Sequence, residues 1–291
     1  MKILVTGATG YIGSAVAGVL ARAGHQVSGL SRSEDAKRKL ESLGIKSVHG
    51  DLSDAAGLSA LVQGFDTIVW TATSNSEAVD APAIAAVLEK LAGTGKTFLY
   101  TSGVWVHGGT QGTVADEDSP LNAADLVAWR PAVEKRVLST PGIRGLVIRP
   151  GIVYGRAGGI PGMLGASARK EGAARFVGTG ENRWPVVFID DLAELYLRAV
   201  ERASAGTILI AVQGPSVKVK DIATAASEGA GAGGKTIAWP LEDARTQFGA
   251  FADALALDQQ FSARRAELFL GWAPQGPSIL DELRSGSYAQ R

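Results

Sequence analysis

The stretch Lys2-Ile3-Leu4-Val5-Thr6-Gly7-Ala8-Thr9-Gly10-Tyr11-Ile12-Gly13 decides the fold. Its first five residues make a short β-rich apolar run, and three glycines at three-residue intervals follow. Residues 12–23 then repeat apolar side chains at helical spacing and stop near Gly24. In this strand–turn–helix setting each glycine has a physical role. Gly7 allows a tight turn, Gly10 lets backbone approach a pyrophosphate, and Gly13 lets the helix lie close to the strand. The helix N-terminus offers unpaired N–H groups and partial positive charge to an anion. Gly7, Thr9, Gly10, Tyr11, Ile12 and Gly13 are therefore expected to hold a dinucleotide.

Outward from this loop the alternation continues. Residues 26–30, 45–49, 67–72, 97–101 and 146–149 read as strands, and residues 34–43, 58–62, 83–91 and 125–138 as helices between them, the last interrupted by Pro131 near its start. This order predicts an α/β fold, a doubly wound parallel sheet of the Rossmann type. After Pro150 the pattern breaks up. Residues 151–184 are rich in Gly and Arg without a long strand, residues 186–189 and 191–200 restore a strand–helix pair, and residues 207–212 read as another strand. Residues 1–150 are expected to form the dinucleotide-binding unit, with 186–212 returning to it. Residues 151–185 and 213–291 are expected to form a smaller C-terminal substrate lobe. Residues 225–234 are biased towards Ala and Gly and read as a connector.

The end of the second strand reads the adenosine ribose. An acid there would bind the 2′-OH of NAD. Ser31-Arg32-Ser33 stands instead, and the Arg32 guanidinium suits a 2′-phosphate, so NADP(H) is favoured over NAD(H). Asp51-Leu52, after the third strand, falls where an adenine edge is read.

Composition excludes other classes. The chain has 291 residues, 46% hydrophobic and 20% charged, a size that buries a core without disulfide or metal staples. No cysteine is present, which rules out disulfides, thiolate zinc sites and Cys nucleophiles. Three histidines, His25, His49 and His107, lie far apart, so a His-rich metal site is not expected. Lys+Arg and Asp+Glu both number 29, which leaves no electrostatic footprint for nucleic acid. No apolar run approaches the roughly 20 residues of a membrane span. No signal peptide is expected ahead of the first strand, and a cytoplasmic location is the default expectation. Residues 229–236, Gly-Ala-Gly-Ala-Gly-Gly-Lys-Thr, match the letters of a P-loop. A helical pattern precedes them and a strand-like run follows, the reverse of the order a P-loop needs.

Together, Thr6–Gly13, Asp51-Leu52, Asp66–Ala72, Tyr100–Gly108, Arg149–Gly155 and Phe188–Ala193 resemble the extended short-chain dehydrogenase/reductase family, which includes NAD-dependent epimerases and dehydratases. The resemblance implies a Rossmann unit with a C-terminal substrate lobe. It also implies that Thr71, Ala72 and Thr73 lie along the cofactor, and that Pro150, Gly151 and Val153 lie near the nicotinamide. The family's Tyr-x-x-x-Lys pair is missing. Four residues after Tyr11, Tyr100, Tyr154 and Tyr196 stand Ala15, Val104, Gly158 and Val200, and Tyr288 lies too near the end. The family also tends to place a Glu four residues after that lysine. Anchoring on Val133-Glu134 puts Arg130 at the lysine position and Leu126 at the tyrosine position. In the family's serine segment Gly103 takes the usual hydroxyl position, with Ser102 one residue earlier.

Carbonyl reduction needs a hydride and a proton. Ser102, Tyr154, His107 or ordered water would supply the proton, and Arg130 would hold the nicotinamide ribose or an anionic substrate. Trp105, Tyr154 and Trp184 are the candidate substrate residues, the tryptophans as an apolar wall. The expected activity is NADPH-dependent reduction of a small organic substrate, a carbonyl compound. An NADP-retaining epimerase or isomerase, and a non-catalytic NADP(H)-sensing protein, are the alternatives.

Overall fold

The computed structural model describes residues 1–289. The first half alternates strand and helix: β1 (Lys2–Thr6), α1 (Tyr11–Arg22), β2 (Gln26–Ser31), α2 (Glu34–Ser42), β3 (Lys46–His49), α3 (Ala55–Leu61), β4 (Thr67–Trp70), α4 (Glu77–Leu91), β5 (Thr97–Thr101), α5 (Arg130–Ser139) and β6 (Arg144–Pro150). There follow β7 (Ile152–Tyr154), α6 (Gly159–Glu171), β8 (Ala174–Val177), β9 (Arg183–Trp184), β10 (Val186–Phe188), α7 (Ile189–Arg202) and β11 (Thr207–Ala211). The chain ends through β12 (Val217–Lys218), α8 (Val219–Gly229), β13 (Thr236–Trp239), α9 (Leu241–Phe248), α10 (Ala250–Ala256), α11 (Arg264–Leu270) and α12 (Ile279–Ser285).

Seven strands form one parallel sheet in the order β11-β6-β5-β4-β1-β2-β3. The order reverses between β1 and β4, and the carboxyl ends of those strands open the crevice where doubly wound sheets bind ligands. Successive residues of β1 face opposite sides. Ile3 and Val5 join a core with α1, α7 and α11, whereas Leu4 joins a second core under α3, α4 and α5. A third core, with Phe176, Trp184, Ile222 and Leu283, fills the C-terminal lobe.

Several elements depart from the sequence reading, each for a local reason. The helix expected over residues 125–138 is a 3-10 turn (Asp125–Val127) followed by α5. Pro131 stands in the first turn of α5, where its missing N–H costs nothing, so it starts the helix rather than interrupting it. Conversely, α4 runs through Pro82 and begins at Glu77, earlier than the expected residue 83. In the 151–184 stretch α6 went unread, because Gly159, Gly162 and Gly165 dilute the helical pattern. Its Pro161, Leu164, Gly165 and Ala168 are buried, so packing compensates for weak propensity. Within 186–212, α7 packs beside α1 and β11 pairs with β6, but β10 pairs with β7 outside the main sheet. Phe261, Ala266 and Trp272, assigned by sequence to the lobe, pack into the first core. Residues 225–229, read as connector, complete α8, and the P-loop look-alike runs from that helix into β13.

One buried charged cluster ties these layers together. Arg149 of β6 donates from Nε (3.1 and 3.2 Å) and Nη2 (2.5 Å) to the Glu134 carboxylate of α5, with both side chains buried. Its Nη1 donates to His107 Nε2 at 3.0 Å, while His107 Nδ1 meets the Pro120 carbonyl at 3.2 Å. A guanidinium only donates, so Nε2 accepts and Nδ1 carries the proton. His107 is thus a neutral, fully engaged ring. Burial, reinforced by the Arg149 charge, pushes its pKa below the ordinary 6.5, against weaker opposing effects of Pro120, Glu134 and Asp116.

Removing one partner of such a pair leaves a buried charge unmatched. Glu134→Ala is expected to lower the unfolding free energy by about 3–5 kcal/mol, read from urea midpoints. His107 also makes stability depend on pH. Below about 6.5 the unfolded chain takes up a proton that the folded ring refuses, so stability rises with pH up to that point and then levels. Between pH 5 and 7, His107→Gln should show a shallower slope of unfolding free energy than the parent. Equal slopes would remove the ring from this account.

Candidate functional site

The crevice between β1 and β4 is bounded by the two loops that leave those strands. Gly7 has φ +71°, and a Cβ there would lie 2.8 Å from Ala72 N. A Cβ on Gly13 would lie 2.1 Å from the Gly7 carbonyl oxygen. The turn and the first helix are therefore as close as backbone allows. The N-cap of α1, Gly10, provides no side-chain cap, and the first turn carries no acid. Its N–H groups and dipole face the crevice without a competing negative group.

A cavity of about 860 Å³ runs from this turn along the sheet edge. Gly7, Thr9, Gly10, Tyr11, Ile12, Gly13, Ser31, Arg32, Ser33, Asp51, Leu52, Thr71, Ala72 and Thr73 all line it. The structure brings these sequence-chosen residues together, but most of their hydroxyls already have partners. Ser31 Oγ pairs with Ser47 Oγ at 2.7 Å. Ser33 Oγ caps α2 by accepting from Ala36 N at 3.2 Å. Thr71 Oγ1 donates to the Thr6 carbonyl at 2.6 Å, and Thr73 Oγ1 to Asp80 Oδ2 at 2.6 Å. These side chains shape the wall, and the backbone faces the cavity. Bonds from Ser53 hold the Asp51 carboxyl below the usual range, with a smaller contribution from the Arg32 charge. Arg32 itself is exposed and makes no ion pair among the described residues.

Two participants lay outside the sequence reading. Buried Asp80, in the first turns of α4, also accepts from Ser74 N and Oγ and so orders the Thr71–Ser74 loop. Lys39 of α2 donates to the Thr9 carbonyl at 2.8 Å and braces the glycine turn from behind. Neither sits in a recognisable motif, and each acts through a contact between distant elements.

Past Tyr11 and Ile12 the crevice deepens into an inner cavity of about 240 Å³. Its lining includes Ser102 and Trp105 after β5, Arg130 at the start of α5, Pro150–Val153 and Ile160. Among the described residues Ser102 Oγ is buried without a hydrogen-bond partner, and so is Arg130 Nε. Arg130 Nη1 donates to the Ser102 carbonyl at 3.1 Å, which holds the two together. A buried polar atom left unpaired costs about 1–3 kcal/mol, and two such atoms belong to residues lining this one cavity. The pair of cavities fits a dinucleotide. The glycine turn and α1 would hold its pyrophosphate, and Pro150–Val153 with Arg130 would hold its far end.

Three other expected site residues face elsewhere. His107 is buried in the Arg149 cluster with both nitrogens engaged, so it is no proton donor to the cavity. Tyr154 follows the cavity-lining Ile152 and Val153 on β7 but does not itself line the cavity. Its side chain enters the lobe core beside Phe188, and its hydroxyl donates to the Pro277 carbonyl at 2.6 Å. Trp184 donates from Nε1 to the Leu255 carbonyl at 3.0 Å and lines a separate cavity in the lobe. Tyr11 does line the inner cavity, but its hydroxyl donates to the Gly155 carbonyl at 2.7 Å, and burial raises its pKa. Among the described residues no group of His, Cys, Asp and Glu is placed to hold a metal ion, and no helix is long and apolar enough to cross a membrane.

Known proteins resemble this chain in sequence and in fold. An uncharacterized protein of Schizosaccharomyces pombe is 31% identical over 303 residues, spanning 99% of this chain and all of that one. The 2-alkyl-3-oxoalkanoate reductase of Stenotrophomonas maltophilia is 28% identical over 227 residues, 71% of this chain and 67% of that one. The fold superposes on Thermus thermophilus UDP-glucose 4-epimerase, solved as a complex with NAD, with a TM-score of 0.79 at 19% identity, covering 98% and 99% of the two chains. The family model of the NAD dependent epimerase/dehydratase family matches residues 3–211, and with its glycine turn, switch-point crevice and C-terminal lobe the chain belongs to that family.

Proposed function

We propose that the protein is an NADPH-dependent oxidoreductase that reduces the carbonyl group of a small organic substrate. The observation that carries this reading is the unpartnered pair at the inner cavity, Ser102 Oγ and Arg130 Nε. NADPH, when bound, supplies the hydride. As hydride reaches the carbonyl carbon, the C=O π electrons move to oxygen. Ser102 donates a hydrogen bond to that oxygen, and the fixed Arg130 charge stabilises the developing alkoxide. Arg130 stays protonated throughout, so it stabilises charge and gives up no proton. The proton that completes the alcohol comes from solvent water through the Ser102 hydroxyl. Trp105 flanks this pair and gives the substrate an apolar side.

Preference for NADP(H) rests on Arg32, exposed and unpaired at the end of β2 with no acid at the ribose. Similarity to a protein that reduces a 3-oxoalkanoate supports a carbonyl substrate.

The direct test is NADPH consumption across a panel of aldehydes and ketones. With a substrate in hand, Ser102→Ala and Arg130→Met should each lower kcat by about 10²–10³-fold. Turnover at the parental rate in both variants would sink this mechanism. NADPH binding without consumption of any carbonyl would favour a cofactor-retaining epimerase or a binding role instead. Arg32→Asp should weaken NADPH by roughly 10- to 100-fold and NADH much less, as titration calorimetry would read. Equal changes in both affinities would refute the 2′-phosphate assignment.

A further inference from the structure

The C-terminal lobe holds another cavity, of about 360 Å³, that the chemistry at Ser102 leaves unused. Met163, Phe176, Trp184, Trp239, Phe248 and Leu255 supply its apolar lining. It adjoins the inner cavity, because Ile160 at the start of α6 lines both. An aromatic wall also joins them. Trp105 of the inner cavity meets Phe251 edge-on at 6.0 Å, Phe251 meets Phe248 at 5.9 Å, and Phe248 meets Trp239 at 5.4 Å. The Arg175 guanidinium lies over Trp239 at 5.0 Å and closes the far end. Such edge-to-face chains hold rings in fixed positions. Trp239 and Phe248 remain half-buried and Met163 is 42% exposed, so this apolar surface converges on one opening instead of closing into core.

Size and charge narrow what enters. The inner cavity, at about 240 Å³, falls below the ~300 Å³ at which pockets for drug-sized ligands begin. It has to accept the reacting carbonyl beside the cofactor, so the body of a larger substrate must leave past Ile160. Beyond Ile160 the wall is tryptophan, phenylalanine and aliphatic side chains, with two neutral polar residues, Gln247 and Ser167, the Ser167 hydroxyl being committed to the Leu164 carbonyl and Arg175 N. The charged groups at its rim are Lys170, Glu171 and Arg175, and Arg175 already donates to Glu171 at 2.6 Å. Arg175 Nε has no partner among the described residues, and Lys170 is exposed, so a diphosphate would meet one cation free of an ion pair beside the Glu171 carboxylate, too little positive charge to match it.

We propose that the substrates of this enzyme are carbonyl compounds with an elongated, uncharged apolar tail. The reacting end sits at Ser102 and Arg130, and the alkyl or aryl tail follows the Trp105–Trp239 wall into the lobe cavity. This assignment rests on the reductase reading for the head of the substrate, whereas the tail site is open to a binding test of its own.

The binding test uses the full chain without NADPH and the uncharged fluorophore N-phenyl-1-naphthylamine. Saturable brightening that 1-decanol reverses and UDP-glucose does not is the expected result. Phe248→Ser, at a half-exposed position, should weaken the probe about tenfold or more, and Met163→Glu at the exposed rim should also weaken it. In turnover with straight-chain aldehydes, kcat/KM should rise roughly three- to fourfold per methylene from propanal until the cavity is filled. Phe248→Ser should lower the decanal-to-propanal ratio of kcat/KM by about tenfold. Absence of saturable probe binding, displacement by UDP-glucose, or a flat chain-length series would overturn the proposal. Decanol-reversible binding with no aldehyde reduced would instead overturn the reductase reading and leave the apolar-tail site standing.

Discussion

The candidate site depends on a guanidinium that never touches it. Arg149 lies under the carboxyl edge of the sheet, buried with Glu134 and His107. A charge so placed is tolerated only when its donors are matched, and three of them are spent on Glu134 and His107. The consequence is geometric. Glu134 belongs to α5, and Arg130 stands one turn before it on the same helix. Fixing Glu134 against β6 therefore fixes where Arg130 meets the Ser102 carbonyl. His107 ties the 3-10 turn after β5, which carries Trp105, to the same centre. Three pieces of the inner cavity are held by one cluster.

The cofactor half is constrained differently, by closeness. Gly7 and Gly13 approach to where a methyl group would collide with backbone, and the neighbouring hydroxyls of Thr71 and Thr73 are committed to holding loops. Little is left free to adjust, so the phosphate-facing backbone is pre-set before any ligand arrives. The inner cavity is the opposite case. There Ser102 and Arg130 keep buried atoms unpaired among the described residues, and in the proposed reductase a substrate oxygen would relieve that cost. This contrast between a satisfied wall and an unsatisfied floor separates binding of a cofactor from chemistry on a substrate.

How much of this was legible in the sequence follows from the range of each signal. The glycine turn, Ser31–Ser33 and Asp51-Leu52 are local to single βα junctions, and a parallel sheet sends every such junction to one edge. All of them line one cavity. Arg130 and Ser102 were each legible as candidates, Arg130 through Glu134 four residues on, but the contact between them was not. His107, Tyr154 and Trp184 were misplaced for a different reason. Their segments do border the site, but which way a side chain turns is settled by partners far along the chain: Arg149, Pro277 and Leu255. In α6, glycines hid a helix that exists because α8 and the lobe core pack on it. Asp80 and Lys39 left no trace, since nothing near them in sequence reveals the loops they brace.

The same distinction explains how the lobe can vary while the sheet does not need to. Residues contacting the dinucleotide site come from strand ends whose position the ladder dictates, and a change there disturbs the sheet itself. The lobe cavity is lined from α6, β8, β9, β13, α9 and α10, short elements held by side-chain packing and two-stranded ladders. Exchange of one aromatic residue there alters the wall without breaking a long ladder. Trp239 and Phe248 sit half-buried on such elements, so each can be replaced at a modest loss of core. In the proposed reductase, substrate choice falls to the part of the molecule where substitution is least costly, and hydride chemistry falls to the part where Arg149, Gly7 and Gly13 leave almost no freedom.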